Sequence, residues 1–258
     1  MELGLNGKTA LITGASQGIG EAIAEALGKE GCHLVLAARS LPKLEHIADR
    51  ISEQFGVRVQ TIAIDLTGPD ACDALMQQVG TINILVNNAG AIPSGALGDV
   101  TGHVMQRAMG LKLFAYKRLA ELAFEHMRIN GNGVILNVIG TAGERARAAY
   151  ALGSMVNASL IAMTRALGLQ ASVHGVRVVG LHPGATLTKR KLDQLRQRAT
   201  DQFGQEEEWP ALAAQYPFGR LAKAEEIAAC AAFLCSTAAS YVNATCLTVD
   251  GGATDSIL

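Results

Sequence analysis

One glycine-rich turn constrains this chain more than any other feature. Residues 8–13 carry the apolar run Thr9, Ala10, Leu11, Ile12, and Thr13-Gly14-Ala15-Ser16-Gln17-Gly18-Ile19-Gly20 follows at once. From 21 to 29, Ala22, Ile23, Ala26 and Leu27 recur at helical spacing. The glycine spacing G-x-x-x-G-x-G is neither G-x-G-x-x-G nor a Walker phosphate loop, but the physical requirement is the same. Glycine lets the backbone turn sharply and approach a pyrophosphate closely, and the following helix aims its free N–H groups at that anion. Glycine clusters also occur in ordinary turns; the strand–turn–helix setting marks this one as a nucleotide site. Gly14, Ser16, Gln17, Gly18, Ile19 and Gly20 are therefore candidate cofactor contacts.

The rest of the chain repeats the alternation. Strands are predicted at 33–38, 57–65, 82–87, 133–138, 176–182 and 246–249, and helices at 41–55, 69–79, 99–128, 150–173 and 225–235. Such alternation implies one mostly parallel sheet covered by helices on both faces, with ligands at the carboxyl ends of its strands. Residues 188–219 stand apart. They are polar and charged, with Leu192, Leu195, Ala199 and Phe203 at roughly helical spacing, and their position after the sixth strand suits a lid over a site. The competing reading is a surface helical excursion.

Composition excludes several classes. With 258 residues, 49% of them hydrophobic, and a net charge of −1, the chain is neither disordered nor built around a basic nucleic-acid surface. It lacks a run of 18 apolar residues and its first residues do not read as a secretory signal, so no membrane partner and a cytoplasmic location are expected. Cys32, Cys72, Cys230, Cys235 and Cys246 are odd in number, and no two are at C-x-x-C spacing. They read as reduced thiols, mostly buried, with no metal site.

Further segments stand in a familiar order. Asp65-Leu66 ends the third strand; Asn87-Asn88-Ala89-Gly90 follows the fourth; Tyr150 opens a long helix; Pro183-Gly184 has Thr188 behind it; Asp250-Gly251-Gly252 closes the set. Over nearly its whole length the chain resembles the short-chain dehydrogenase/reductase family. The resemblance implies a single domain over 1–258 with a Rossmann-type, doubly wound parallel sheet. It also implies cofactor contacts at Asp65, Leu66, Asn88, Ala89, Gly90, Tyr150, Ser154, Pro183, Gly184 and Thr188. At the end of the second strand, where NAD enzymes carry an acid, this chain has Ala38-Arg39-Ser40. Arg39, with Ser40, suits a 2′-phosphate, which favours NADP, with NAD as the alternative. The family's expected chemistry is hydride transfer between NADP(H) and a small carbonyl/alcohol pair, in a homodimer or homotetramer built through the two long helices.

The catalytic positions depart from the family. Its tyrosine is present as Tyr150, but the lysine four residues on is Ser154. Aligned on Asn137 and Gly143, the serine position holds Gly140, and Met109-Gly110-Leu111-Lys112 puts Gly110 in the asparagine position. With no ammonium nearby, Tyr150 is a poor base at neutral pH but still a proton donor, which favours reduction. Ser154 is left to hydrogen-bond a ribose hydroxyl without supplying charge. Thr141, next to the vacant serine position, points away if the segment stays extended. Arg145 or Arg147 supplies the missing charge or is a solvated loop arginine. His182 is an alternative acid/base or a structural histidine, and Glu144 a loop carboxylate. The basic run Lys189-Arg190-Lys191, with Arg196 and Arg198, attracts an acidic substrate or forms a solvated face beside Glu206-Glu207-Glu208. Trp209 and Tyr216 line a cavity or anchor the lid. A catalytically silent nucleotide-binding or regulatory protein on the same fold is the alternative to an enzyme.

Overall fold

The computed structural model describes residues 2–254; Met1 and residues 255–258, the ends of the expected 1–258 domain, lie outside them. Seven strands form one parallel sheet: β1 (Thr9–Thr13), β2 (His33–Ala38), β3 (Val59–Ala63), β4 (Ile84–Asn87), β5 (Gly133–Val138), β6 (Val176–Pro183) and, last in the chain, Cys246–Val249. Two two-residue strands before that last one, β7 (Thr186–Leu187) and β8 (Ala222–Lys223), pair in parallel by themselves, so the last sheet strand is β9. The sheet order is β3-β2-β1-β4-β5-β6-β9. β1, β4 and β5 are almost continuously apolar because both of their faces are covered.

The covering helices are α1 (Gly18–Lys29), α2 (Leu41–Phe55), α3 (Ala71–Val79), α4 (Gly102–Met109), α5 (Ala115–Asn130), α6 (Ala151–Ala171), α7 (Lys189–Phe203), α8 (Trp209–Ala213) and α9 (Ala224–Cys235). Ile23, Leu27, Leu44, Ile51 and Ile227 bring α1, α2 and α9 onto one face of the sheet. Leu75, Leu119, Ala123 and Phe124 bring α3 and α5 onto the other, with Leu167 and Ala171 of α6. Ala151–His174 is long and apolar enough to cross a bilayer by length and composition, which the run-length argument did not foresee. Leu152, Val156 and Leu160 are buried, as in a core helix.

Sheet order reverses between β1 and β4, which opens a crevice at their carboxyl ends. Two expectations change here. Strand 57–65 is trimmed to Val59–Ala63, and the single helix expected over 99–128 is broken. A π-helical turn, Gly110–Phe114, separates α4 from α5. Glycine is a weak helix former, and such turns are a common means of re-aiming one side chain.

Candidate active site

The glycine turn is locked onto the segment after β4. Thr13 Oγ1 accepts from the N–H groups of Asn88 (3.0 Å) and Ala89 (3.1 Å), and the Asn88 amide donates to the carbonyls of Thr13 (3.1 Å) and Gly14 (3.2 Å). Gly14 has φ +67°, and a Cβ there would lie 2.9 Å from Ala89 Cα; a Cβ on Gly20 would lie 2.5 Å from the Asn88 amide nitrogen. Only hydrogen fits at either place. Gln17, the N-cap of α1, makes no side-chain cap bond, so the first-turn N–H groups of α1 have no side-chain partner there. Asn87 itself is structural: its amide donates to Asn137 Oδ1 (3.0 Å), whose own amide donates to Thr164 Oγ1 (3.0 Å).

The turn opens into a cleft of about 1260 Å³. All but one of the site residues expected from the sequence line it. They are Gly14, Ser16, Gln17, Gly18, Ile19 and Gly20 of the turn, Arg39 and Ser40 after β2, Asp65 and Leu66 after β3, Asn88, Ala89 and Gly90 after β4, and Tyr150, Pro183, Gly184 and Thr188. Arg39 has basic company that the sequence reading missed. Lys43, one turn into α2, also lines the cleft and donates to Gln17 Oε1 at 3.4 Å. Asp65 accepts from the N–H (3.0 Å) and hydroxyl (2.7 Å) of Thr67, which holds its carboxyl below the usual range.

Ser154 is the exception. Its hydroxyl accepts from Arg147 N–H (3.0 Å) and donates to the Tyr150 carbonyl (3.2 Å), so it is spent on the first turn of α6 and does not line the cleft. Its donor is engaged here, and one acceptor site remains for the ribose hydroxyl expected from the sequence. Tyr150 does line the cleft, and burial raises its phenol pKa while Arg190 and Arg147 pull it back. Gly140 has φ +117°, in a region that side-chain-bearing residues rarely adopt. Thr141 starts a 3-10 turn instead of continuing an extended strand, and so reaches the cleft, where Arg147 Nη2 donates to its hydroxyl at 3.3 Å.

At the helix break, next to Gly110, the side chains that line the cleft are Leu111 and Lys112. Lys112 is 9% exposed, and its ammonium donates to the Ile139 carbonyl at 2.6 Å. Burial, then the nearby Arg190, pushes its pKa down to about 8. A lysine inside the apolar run Leu111-Lys112-Leu113-Phe114 was the only sequence signal of it.

His182 is fully buried on β6, outside the cleft lining, with Nδ1 2.8 Å from Glu144 Oε1. Thr248 donates to both Glu144 oxygens (2.9 and 3.0 Å). This is the structural reading of His182 and gives Glu144 a buried partner. Segment 188–219 reaches over the cleft. Arg190 Nη2 donates to the Ile92 carbonyl at 2.7 Å, and Lys189, Lys191, Arg198 and Tyr216 line the opening. Trp209 packs instead on the small core of that segment, around Leu195, Ala199 and Leu212. The charged lining side chains are Arg39, Lys43, Arg107, Lys112, Arg147, Lys189, Arg190, Lys191 and Arg198, against the carboxylate of Asp65. Among the described residues no His/Cys/Asp/Glu group has a metal-binding arrangement, and the five cysteines are free.

Residues 14–254 match the family model described as enoyl-(acyl carrier protein) reductase. The chain is 32% identical over 254 residues to the 7alpha-hydroxysteroid dehydrogenase of Escherichia coli, covering 97% of this chain and 95% of that one. It is 33% identical over 260 residues to the 3-oxoacyl-(acyl-carrier-protein) reductase of Vibrio cholerae, covering 97% and 98%. Among solved structures, L-sorbose reductase from Gluconobacter frateurii, complexed with NADPH and L-sorbose, superposes with a TM-score of 0.94 at 32% identity, covering all of both chains.

Proposed function

The chain belongs to the short-chain dehydrogenase/reductase family, and on that premise we propose that it is an NADP(H)-dependent oxidoreductase that reduces a small ketone carrying an anionic group. The observation that carries this reading is the charge of the cleft: nine basic side chains line it, against the one carboxylate of Asp65.

The residues present fit a dinucleotide. The turn sealed by Gly14, Gly20 and Asn88 leaves no volume for a Cβ, and the uncapped start of α1 beside it suits a pyrophosphate. Arg39, Ser40 and Lys43 would hold a 2′-phosphate, Asp65 and Leu66 the adenosine end, and Asn88, Ala89, Gly90, Pro183, Gly184 and Thr188 the nicotinamide end. When bound, the nicotinamide supplies or accepts the hydride. Tyr150 holds a proton at its Oη through the neutral range, because burial raises its pKa, and it delivers that proton to the carbonyl oxygen. This favours the reductive direction.

Segment 188–219 serves as the cover, since Arg190 already spans from α7 to the backbone at Ile92. Arg147, Arg190 and Lys191 face the substrate end and would bind its carboxylate or phosphate. Exposed Phe114 at the π turn before α5, with Met155 and Leu169 on α6, supports a homodimer or homotetramer. No observation favours a binding-only protein.

The test is calorimetry with NADPH and NADH, followed by NADPH oxidation with 2-keto acids, 3-keto acids and their neutral amides. Micromolar NADPH binding, with keto acids preferred over amides by about tenfold or more, is the expected result. Absence of binding to either nucleotide overturns the oxidoreductase reading, and preference for the neutral amides overturns the substrate class.

A further inference from the structure

The cleft of this chain contains a buried lysine, Lys112, that forms no ion pair among the described residues. Lys112 has three donors, and among the described residues one hydrogen bond is formed, to the Ile139 carbonyl. Arg190 on α7, which acts on it, is of like charge, and His182 on β6, on which it acts in turn, is already paired with Glu144. Tyr116 on α5 donates to the carbonyl of Val138, next to Ile139, and Tyr150 lines the same cleft. An ammonium taken out of water without a carboxylate partner is costly, and folds keep such a group where a negative charge arrives during function.

The placement is specific. The π-helical turn at Gly110–Phe114 points Lys112 inward, and its stem lies under Gly90, where a Cβ would come within 3.2 Å of Lys112 Cδ. The carbonyl it touches belongs to Ile139, directly before Gly140, the residue in the vacant serine position. Tyr150, the proton donor proposed above, lines the same cleft. The ammonium thus stands beside position 140, where the family's oxygen-binding serine is absent, on the turn that begins at the asparagine position, Gly110.

Resting on the oxidoreductase reading above, we propose that Lys112 is a catalytic residue, binding the substrate carbonyl oxygen through Nζ and carrying the positive charge that α6 has lost at Ser154. In reduction, the electron pair of the hydride from the reduced nicotinamide forms the new C–H bond. The C=O π pair moves onto oxygen beside the Lys112 ammonium, and oxygen takes the proton of Tyr150 Oη; the nicotinamide is left oxidised and Tyr150 a phenolate, which water from solvent reprotonates. Lys112 stays protonated throughout. Its lowered pKa, about 8, agrees with a cation awaiting a counter-charge.

The experiment uses full-length protein labelled with ¹³C at lysine Cε. The Lys112 resonance is identified by its loss in Lys112→Met and followed from pH 6 to 11, with and without NADP⁺. It is expected to titrate about two pH units below the other lysines and to shift when NADP⁺ binds. A Lys112 that titrates with the surface lysines and ignores NADP⁺ overturns the assignment without touching the oxidoreductase reading. Failure of the wild type to bind NADPH overturns that reading, and the assignment that rests on it. With a keto acid that the wild type reduces, Lys112→Met is expected to lower kcat/KM about 10²–10³-fold, as loss of an oxyanion donor does, with NADPH affinity within about threefold. Lys112→Met combined with Ser154→Lys is expected to recover at least a tenfold part of that loss. Unchanged kcat/KM in Lys112→Met overturns the proposal.

Discussion

The ring of Tyr150 lies across Gly153, in the volume that a Cβ at 153 would occupy. Tyr150 is the N-cap of α6, at φ −144° and ψ 43°, and its ring folds back over the first turn of its own helix. A side chain at 153 would push the ring elsewhere. The consequence is that Gly153→Ala misplaces the phenol while leaving the nucleotide end of the cleft intact. A displacement of about 1 Å costs on the order of 10²-fold in rate. Steady-state kinetics with a keto acid should show that drop in kcat with NADPH affinity preserved; an unchanged kcat would mean that this ring orientation is not used.

Tyr150→Phe removes the proton and keeps the ring. Turnover should fall about 10²–10⁴-fold, with NADPH binding unaltered by calorimetry. Because burial raises the Tyr150 pKa, the reductive rate of the wild type should not decline through the neutral range on account of this group. A variant as active as wild type would remove Tyr150 from the mechanism.

On the proposed reading, Arg39 and Lys43, which line the cleft, set the cofactor preference. Arg39→Ala deletes one charge-assisted bond, worth about 1.5–3 kcal/mol, which is roughly 10–100-fold in NADPH affinity. NADH affinity should change little, since that nucleotide has no 2′-phosphate. Equal losses for both nucleotides would place Arg39 on the adenine ring instead.

Putting the family's serine back at 140 should not help. Gly140 has φ +117°, and a Cβ there would meet the Asn157 amide nitrogen at 3.2 Å. Gly140→Ser is expected to lose about 1–3 kcal/mol of stability, read from urea unfolding, with no gain in kcat/KM. A stable and faster variant would show that this backbone relaxes freely.

His182 ties stability to pH. Burial lowers its pKa, and Glu144 offsets that only in part. Below an ordinary histidine pKa of about 6.5, the unfolded chain therefore binds a proton that the folded chain refuses. This contribution to stability is intact at pH 7 and shrinks as pH falls through 6.5 toward the folded value. His182→Asn should flatten that part of the stability–pH curve between about pH 7 and 5. The same slope in the variant would assign it to other groups.

The nucleotide half of the site was legible because it is local. A turn that needs φ > 0 at Gly14, a helix following it and a basic residue just after β2 are each written in a few adjacent residues, although α1 starts at Gly18, three residues before the expected 21. Lys43 was missed because its reach to Gln17 spans two elements. The catalytic half is assembled from distant segments, and there local spacing misled. Gly110 occupied the expected place in the sequence, but the π turn rotates Lys112 into the cleft. Ser154 stood in the right register on α6, but the backbone N–H of Arg147 captured its hydroxyl.

What the sequence determined by itself was the order of strands and helices, their parallel sheet and the nucleotide turn, because periodicity and glycine placement act over a few residues. What only the tertiary structure decided was which cations share the cleft with Tyr150, and that His182 does not. Burial and mutual distance belong to the packed chain: the same lysine is an ordinary solvated charge on an open helix and, beneath Gly90, a buried ammonium held by one backbone carbonyl.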